Sequence, residues 1–131
     1  MKIPKIGLLI CNSGSSNSGT LTGIAGMEVV KELGGDRVGM CTLPALFHEI
    51  PRQVATVKNL KHLMVIDGCR NACARKVAEK LSLSSDQYIN LEDDLKIGKS
   101  GPFSTLQYSV EDVRKVKEAI RARIGQMGEG D

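Results

Sequence analysis

The chain contains no tryptophan, and tyrosine and phenylalanine together make up only 3% of its 131 residues. A protein that grips single-stranded nucleic acid needs aromatic side chains on which bases stack, and this one has almost none. An excess of one charge is also missing. The 18 basic and 15 acidic residues leave a formal net charge of +3, too mild for the basic footprint of a nucleic-acid binder. Long apolar runs are absent as well. The run Ile6 to Ile10 stops too soon for a membrane span or a signal-peptide core. Neither nucleic acid nor membrane is therefore expected as a partner, and the cytoplasm is the expected compartment.

What is present is ordinary globular composition, 41% hydrophobic and 25% charged, which argues against disorder. The length suits one domain. A chain of this size buries roughly two thirds of its unfolded surface, so it needs neither disulfides nor a metal merely to fold. A reducing compartment keeps thiols reduced. The four cysteines are thus expected to be metal ligands, reactive thiols or buried spare residues rather than a disulfide framework.

Short apolar runs alternate with amphipathic stretches. Ile6 to Ile10 reads as a buried strand, followed by a loop of turn formers from Asn12 to Gly19. Thr20 to Leu33 carries Leu21, Ile24, Ala25 and Val29 at helical spacing, with Gly34 and Gly35 as a stop. A short strand is expected at Arg37 to Met40. Leu43 to Leu60 then reads as mostly helical, broken or restarted at Pro51. His62 to Ile66 is a third strand, Asn71 to Leu83 a helix and Gln87 to Leu91 a fourth strand. The last helix is expected from Val110 to Ile124, opened by a capping box of Ser109 and Asp112. This order predicts a single α/β domain over residues 1–124, with 125–131 as a flexible tail. Its architecture is three-layered and doubly wound, Rossmann-like or flavodoxin-like, on a four-stranded parallel sheet ordered 2-1-3-4. Continuously apolar strands fit, because parallel strands are covered on both faces.

Every cysteine follows a predicted strand. Cys11 comes after the first, Cys41 after the second, and Cys69 just past the third, with Cys73 four residues on. Open α/β sheets bind ligands at that carboxyl edge. In the order 2-1-3-4 the first three strands are adjacent, about 4.8 Å apart, so their ends can present thiols to one ion. Cys69 and Cys73 share a helical face if a helix begins near Gly68. A helix N-terminus there favours thiolate. Four converging thiolates suit zinc or an iron centre, with Zn–S near about 2.3 Å. A thiol-redox site with no metal is the alternative, with Cys69 as nucleophile and Cys73 or Cys11 as resolving thiol.

The stretch Val65-Ile66-Asp67-Gly68-Cys69-Arg70-Asn71-Ala72-Cys73-Ala74-Arg75-Lys76 resembles the central motif of the DGC-domain family, named for its Asp-Gly-Cys. Cys11 with Gly14 and Ser15 is similar to that family's first Cys-x-x-Gly element. Cys41 stands where its second-strand cysteine is expected, and Leu95 to Lys99 resembles its late Gly-x-x-Lys-like element. The segment Thr42 to Leu46 replaces a more glycine-rich turn. The resemblance covers most of the chain and implies a zinc-binding protein with Cys11, Cys41, Cys69 and Cys73 as chelating residues.

Other residues carry weaker signals. Asp67, ending a buried strand, suits a helix cap, a turn, a base or a hydrogen-bond acceptor behind the metal ligands. Gly68 permits a tight turn that brings backbone to the site. Asn12, Ser13, Gly14, Ser15 and Ser16 form a loop that could cradle an anion or substrate, although it spells neither nucleotide-binding glycine motif. His48 is a conceivable ligand or base, while His62 opens a strand far from the carboxyl edge. The basic residues Arg70, Arg75 and Lys76 read as a solvated helix face, as do the charges of the last helix. The expected function is a small cytoplasmic metal-binding protein with a sensing, carrier or site-ordering role, working with a partner protein if the ion is handed on. A module binding a ligand through the serine- and glycine-rich loop is a third possibility.

Overall fold

Five consecutive residues, Ile6–Ile10, are buried without exception and form strand β1. A strand with no polar face must be covered on both sides, and the rest of the chain supplies the cover. The computed structural model describes residues 3–128. Strands β2 (Val38–Met40), β3 (His62–Asp67) and β4 (Gln87–Asn90) join β1 in one sheet ordered β2-β1-β3-β4. All three pairings are parallel, with Ile6 opposite both Val38 and His62, and Met64 opposite Gln87. The expected order and direction are those observed.

Among the described residues six helices flank the strands: α1 (Asn17–Leu33), α2 (Leu43–Phe47), α3 (Pro51–Lys58), α4 (Cys73–Lys80), α5 (Leu91–Leu95) and α6 (Val110–Gln126). Most of the starts have a local cause. The Ser16 hydroxyl accepts the Gly19 N–H and opens α1. Pro44 and Pro51 sit in the first turns of α2 and α3, where a missing N–H costs nothing. Ser109 and Asp112 form the expected capping box of α6. At the other end of α1, Gly34 adopts φ 94 and returns its N–H to Val30.

Side-chain alternation in the strands sorts the core into two halves. Ile6, Leu8, Ile10, Met64 and Ile66 point to one face, where they meet Leu21, Ala25 and Val29 of α1 and Val116, Ile120 and Ile124 of α6. Leu9, Leu63 and Val65 point to the other and meet Leu46, Val57 and Val77 of the shorter helices α2, α3 and α4. Lys117 on α6 reaches Glu28 at 3.0 Å and also Glu32, and Arg121 reaches Glu32 at 2.8 Å, tying α6 to α1. At the outer strand β4, Arg123 donates to the Tyr88 carbonyl at 2.9 Å, and the Asn90 N–H donates to Asp94 at 2.8 Å.

Several boundaries differ from expectation, among them the start of α1 at Asn17 rather than Thr20 and the end of α4 at Lys80 rather than Leu83; three others have clear consequences. Leu91 is not the end of β4 but the first residue of α5, a five-residue helix capped by Asn90. Helix α4 begins at Cys73, because Ala72 sits in the left-handed region at φ 52 and interrupts the turn. Helix α6 continues through Gly125 and Gln126. The flexible tail expected over 125–131 therefore loses its first two residues to the helix, and 129–131 lie outside the described residues.

Candidate functional site

The alternation that sorts the core also sorts the strand ends. Gly7, Leu9 and Cys11 fall on one side of β1, and Leu63, Val65 and Asp67 on the same side of β3. Cys41, two residues past Gly39, follows them and packs against the Leu9 side of the core. Helix α4 covers this face and starts with Cys73. Cys11, Cys41, Asp67 and Cys73 are thus brought to one side of the carboxyl edge, toward α2 and α4.

The four thiols differ in setting. All are free; Cys73 is exposed and the other three are partly buried. Cys11 and Cys41 line one cavity of about 480 Å³ together with Thr42, Leu43 and Pro44. Burial pushes the Cys11 thiol up; the N–H groups of Ser13 and Gly68 pull it down, while the charges of Asp67 and the neighbouring Cys73 push it further up. Burial alone pushes Cys41 up to about 11. Its sulfur is turned back over the sheet, where a Cβ added to Gly7 would lie 2.9 Å from it. Cys69 departs from the group. Its sulfur faces the other flank, with the Lys99 ammonium at 3.9 Å. The expected helical face shared by Cys69 and Cys73 is not formed, because residues 69–72 are a turn that α4 only follows.

Asp67 is almost wholly buried and accepts three hydrogen bonds: Ala74 N–H at 2.8 Å, Arg75 N–H at 3.0 Å and Tyr88 hydroxyl at 3.1 Å. It caps α4 from seven residues upstream, since α4 has no side-chain cap of its own. Tyr88 in turn accepts from Asn90 Nδ2 at 3.1 Å, and the same nitrogen donates to the Cys69 carbonyl at 2.8 Å. Arg75 lies over the Tyr88 ring at 4.9 Å. Burial pushes Tyr88 up to about 12, so it stays a donor. Gly68 admits no side chain: a Cβ would lie 2.7 Å from the Ser18 backbone. Arg70 bonds Glu92 through its N–H and Asp93 through its side chain. One network thus fixes the turn carrying Cys69 and the helix start carrying Cys73.

The Asn12 to Ser16 loop folds onto α1. Asn12 donates its N–H to Thr22 at 2.8 Å, and a Cβ on Gly19 would collide with the Ser13 carbonyl. The Asn17 and Gly19 N–H groups are already given to Ser104 at 3.0 Å and Ser16 at 3.2 Å. Buried Asn17 also clasps the segment carrying Lys99 from both sides, donating to the Gly98 carbonyl and accepting the Ser100 N–H. Tyr88, Asn90, Asn17 and Ser104 are therefore structural members of this edge that sequence reading missed. Their signal was faint: a polar residue near the end of a strand for Tyr88 and Asn90, one in the first turn of a helix for Asn17, and a loop serine for Ser104. His48 ends α2 on the surface against Phe47, and His62 opens β3 facing Asp86. Neither joins the thiols.

A family model for the DGC domain matches residues 8–120 of the chain. This chain belongs to the DGC-domain family. The match spans all four cysteines and the Asp67-Gly68-Cys69 turn. No curated protein and no solved structure matches it. Against a metal centre, the DGC edge gives a divided answer. Its donors are chemically apt, because soft sulfur ligands select zinc or iron. Their present orientations are not closed: among the described residues, no three His, Cys, Asp or Glu side chains gather around one point. No helix among those residues is long and apolar enough to cross a membrane.

Proposed function

We propose that this DGC domain is a small metal-binding protein that takes zinc through Cys11, Cys41, Cys69 and Cys73. The observation that carries the reading is the delivery of four free cysteines to the carboxyl edge of one sheet by three strand ends and one helix start. Four-thiolate ligation supplies a closed centre and no activated water, and iron is the alternative by donor chemistry. Binding requires Cys41 to turn away from Gly7 and Cys69 away from Lys99. A chain of this length buries enough apolar surface to fold without an ion, so the role is sensing, carriage or ordering of the edge rather than folding. Asp67 and Asn90 support it by holding the Cys73 helix and the Cys69 turn in place. A reducing, cytoplasmic setting keeps the thiols available, and a partner protein would receive a carried ion.

The test is purification without oxygen, tag or chelator, followed by metals per chain and thiol alkylation. About one zinc per chain with four protected thiols is expected, with each Cys→Ser variant retaining less. A metal-free chain with one or two fast thiols would overturn the reading. That outcome would favour a thiol-redox enzyme with Cys69 attacking and Cys73 or Cys11 resolving. One contact supports this second reading, the Lys99 ammonium beside the Cys69 sulfur.

A further inference from the structure

Between α2 and α4 lies a groove of about 380 Å³ formed by Leu43, Phe47, Cys73, Lys76, Val77 and Lys80, with walls that are apolar throughout. Its volume falls within the range of small-molecule sites, about 300–1,000 Å³. Phe47 is 56% exposed although it is one of only two phenylalanines in the chain. A concave apolar slot with a few polar groups at its rim is the usual form of a small-molecule site. The rim is cationic but unevenly so. The Lys80 ammonium is engaged, 5.3 Å above the Phe47 ring and 3.4 Å from Glu49. Lys76 makes no ion pair among the described residues. The groove thus offers one apolar slot and one uncommitted positive charge.

We infer that this groove binds a small apolar monoanion, a carboxylate with a hydrocarbon tail. The tail lies against Phe47, Leu43 and Val77, and the carboxylate meets Lys76. A single free ammonium matches one negative charge. A dianion would gain little from Lys80, whose charge Glu49 already balances. Cys73 closes one end of the groove, so the occupant sits beside the thiol edge and covers that sulfur. The inference goes beyond the metal reading and does not depend on it.

Octanoate, octanol and octylamine serve as probes on the full chain, titrated calorimetrically both as purified and after chelator treatment. Octanoate should bind saturably at one site, and octylamine several-fold more weakly. On chelated protein octanoate should slow alkylation of Cys73 by N-ethylmaleimide and leave Cys69 unaffected. Lys76→Met should weaken octanoate about two- to fivefold, the worth of an exposed ion pair, and leave octanol unchanged; Lys76→Arg should restore octanoate. Phe47→Ala, at a largely exposed position, should weaken both about tenfold. Absence of saturable octanoate binding, equal slowing at Cys69 and Cys73, or equally tight octylamine binding would overturn the inference. A chain that carries no metal would overturn the metal reading and leave these outcomes unchanged.

Discussion

The two faces of the sheet are built differently. One is covered by two helices of 17 residues, α1 and α6, each opened by its own serine cap and joined by Lys117 and Arg121 to the acidic side of α1. The other is covered by helices of 5, 8 and 8 residues, and none of α2, α3 and α4 has a side-chain cap at its own N-cap position. Short helices are marginal by themselves and depend on tertiary contacts. Of the four cysteines, Cys69 alone turns toward the flank of the long face, beside Lys99. The short face carries Cys11, Cys41 and Cys73, the larger cavity at the strand ends and the Phe47 groove. Stability and chemistry are thus divided by the plane of the sheet, and the chemistry lies where local opening costs least.

The largest break in this comparison should come from Ile120→Ala, which empties a fully buried position on the long face. A loss of about 3–4 kcal/mol is expected in denaturant unfolding, against about 1–2 kcal/mol for Val77→Ala on the short face, where one smaller side chain is shortened. Equal losses would mean that the faces are not unequal after all. Asp67→Ala comes next. It strands the buried Ala74 N–H, the half-buried Arg75 N–H and the Tyr88 hydroxyl, a cost of about 2–3 kcal/mol. Hydrogen exchange should quicken in α4, above all at Ala74 and Arg75, while α1 and α6 stay protected.

Within the short face the thiols themselves should separate. Cys73 should alkylate fastest in metal-free protein at pH 8, and Cys41 slowest, because burial pushes Cys41 up to about 11. The sign for stability follows from that rise. The folded chain holds this proton more tightly than the unfolded chain, so stability is intact below about pH 9 and falls as pH climbs toward 11. Cys41→Ala should remove that part of the alkaline loss; an unchanged alkaline midpoint would count against the buried setting. The smallest effect belongs to the long face. Lys117 and Arg121 hold the Glu32 carboxyl below its ordinary value, so their contribution is present above the usual carboxylate range and lost as pH falls below it. Glu32→Gln should flatten that acid limb slightly, and added salt should do the same.

Much of this was legible in the sequence, for identifiable reasons. Strands β1 and β3 declared themselves because burial on both faces makes their sequences continuously apolar. The order 2-1-3-4 and the edge position of the cysteines followed from strand–helix alternation. The Ser109 and Asp112 box was readable because both partners lie within one turn. Hidden features were those whose cause lies far along the chain. The start of α4 depends on Asp67 reaching forward seven residues and on Ala72 accepting a left-handed turn, which propensity does not predict. Helix α5 is one acidic turn whose cap, Asn90, also belongs to the strand before it. The flank faced by Cys69 is set by Lys99, which Asn17 clasps from more than eighty residues away. Which face Cys11 and Cys41 share was available in principle from counting alternate residues along β1 and β2.

The bonds made by Arg123 and Asp94 have a further consequence. A sheet of four strands has two open margins, and each is an invitation to another chain. At β4 the guanidinium of α6 holds the Tyr88 carbonyl and the Asp94 carboxylate holds the Asn90 N–H. Both are groups that an added strand would need. Helices α5 and α6 therefore do more than seal the core: together they work as a selvedge, binding off the fabric on that side so that the sheet ends at four strands.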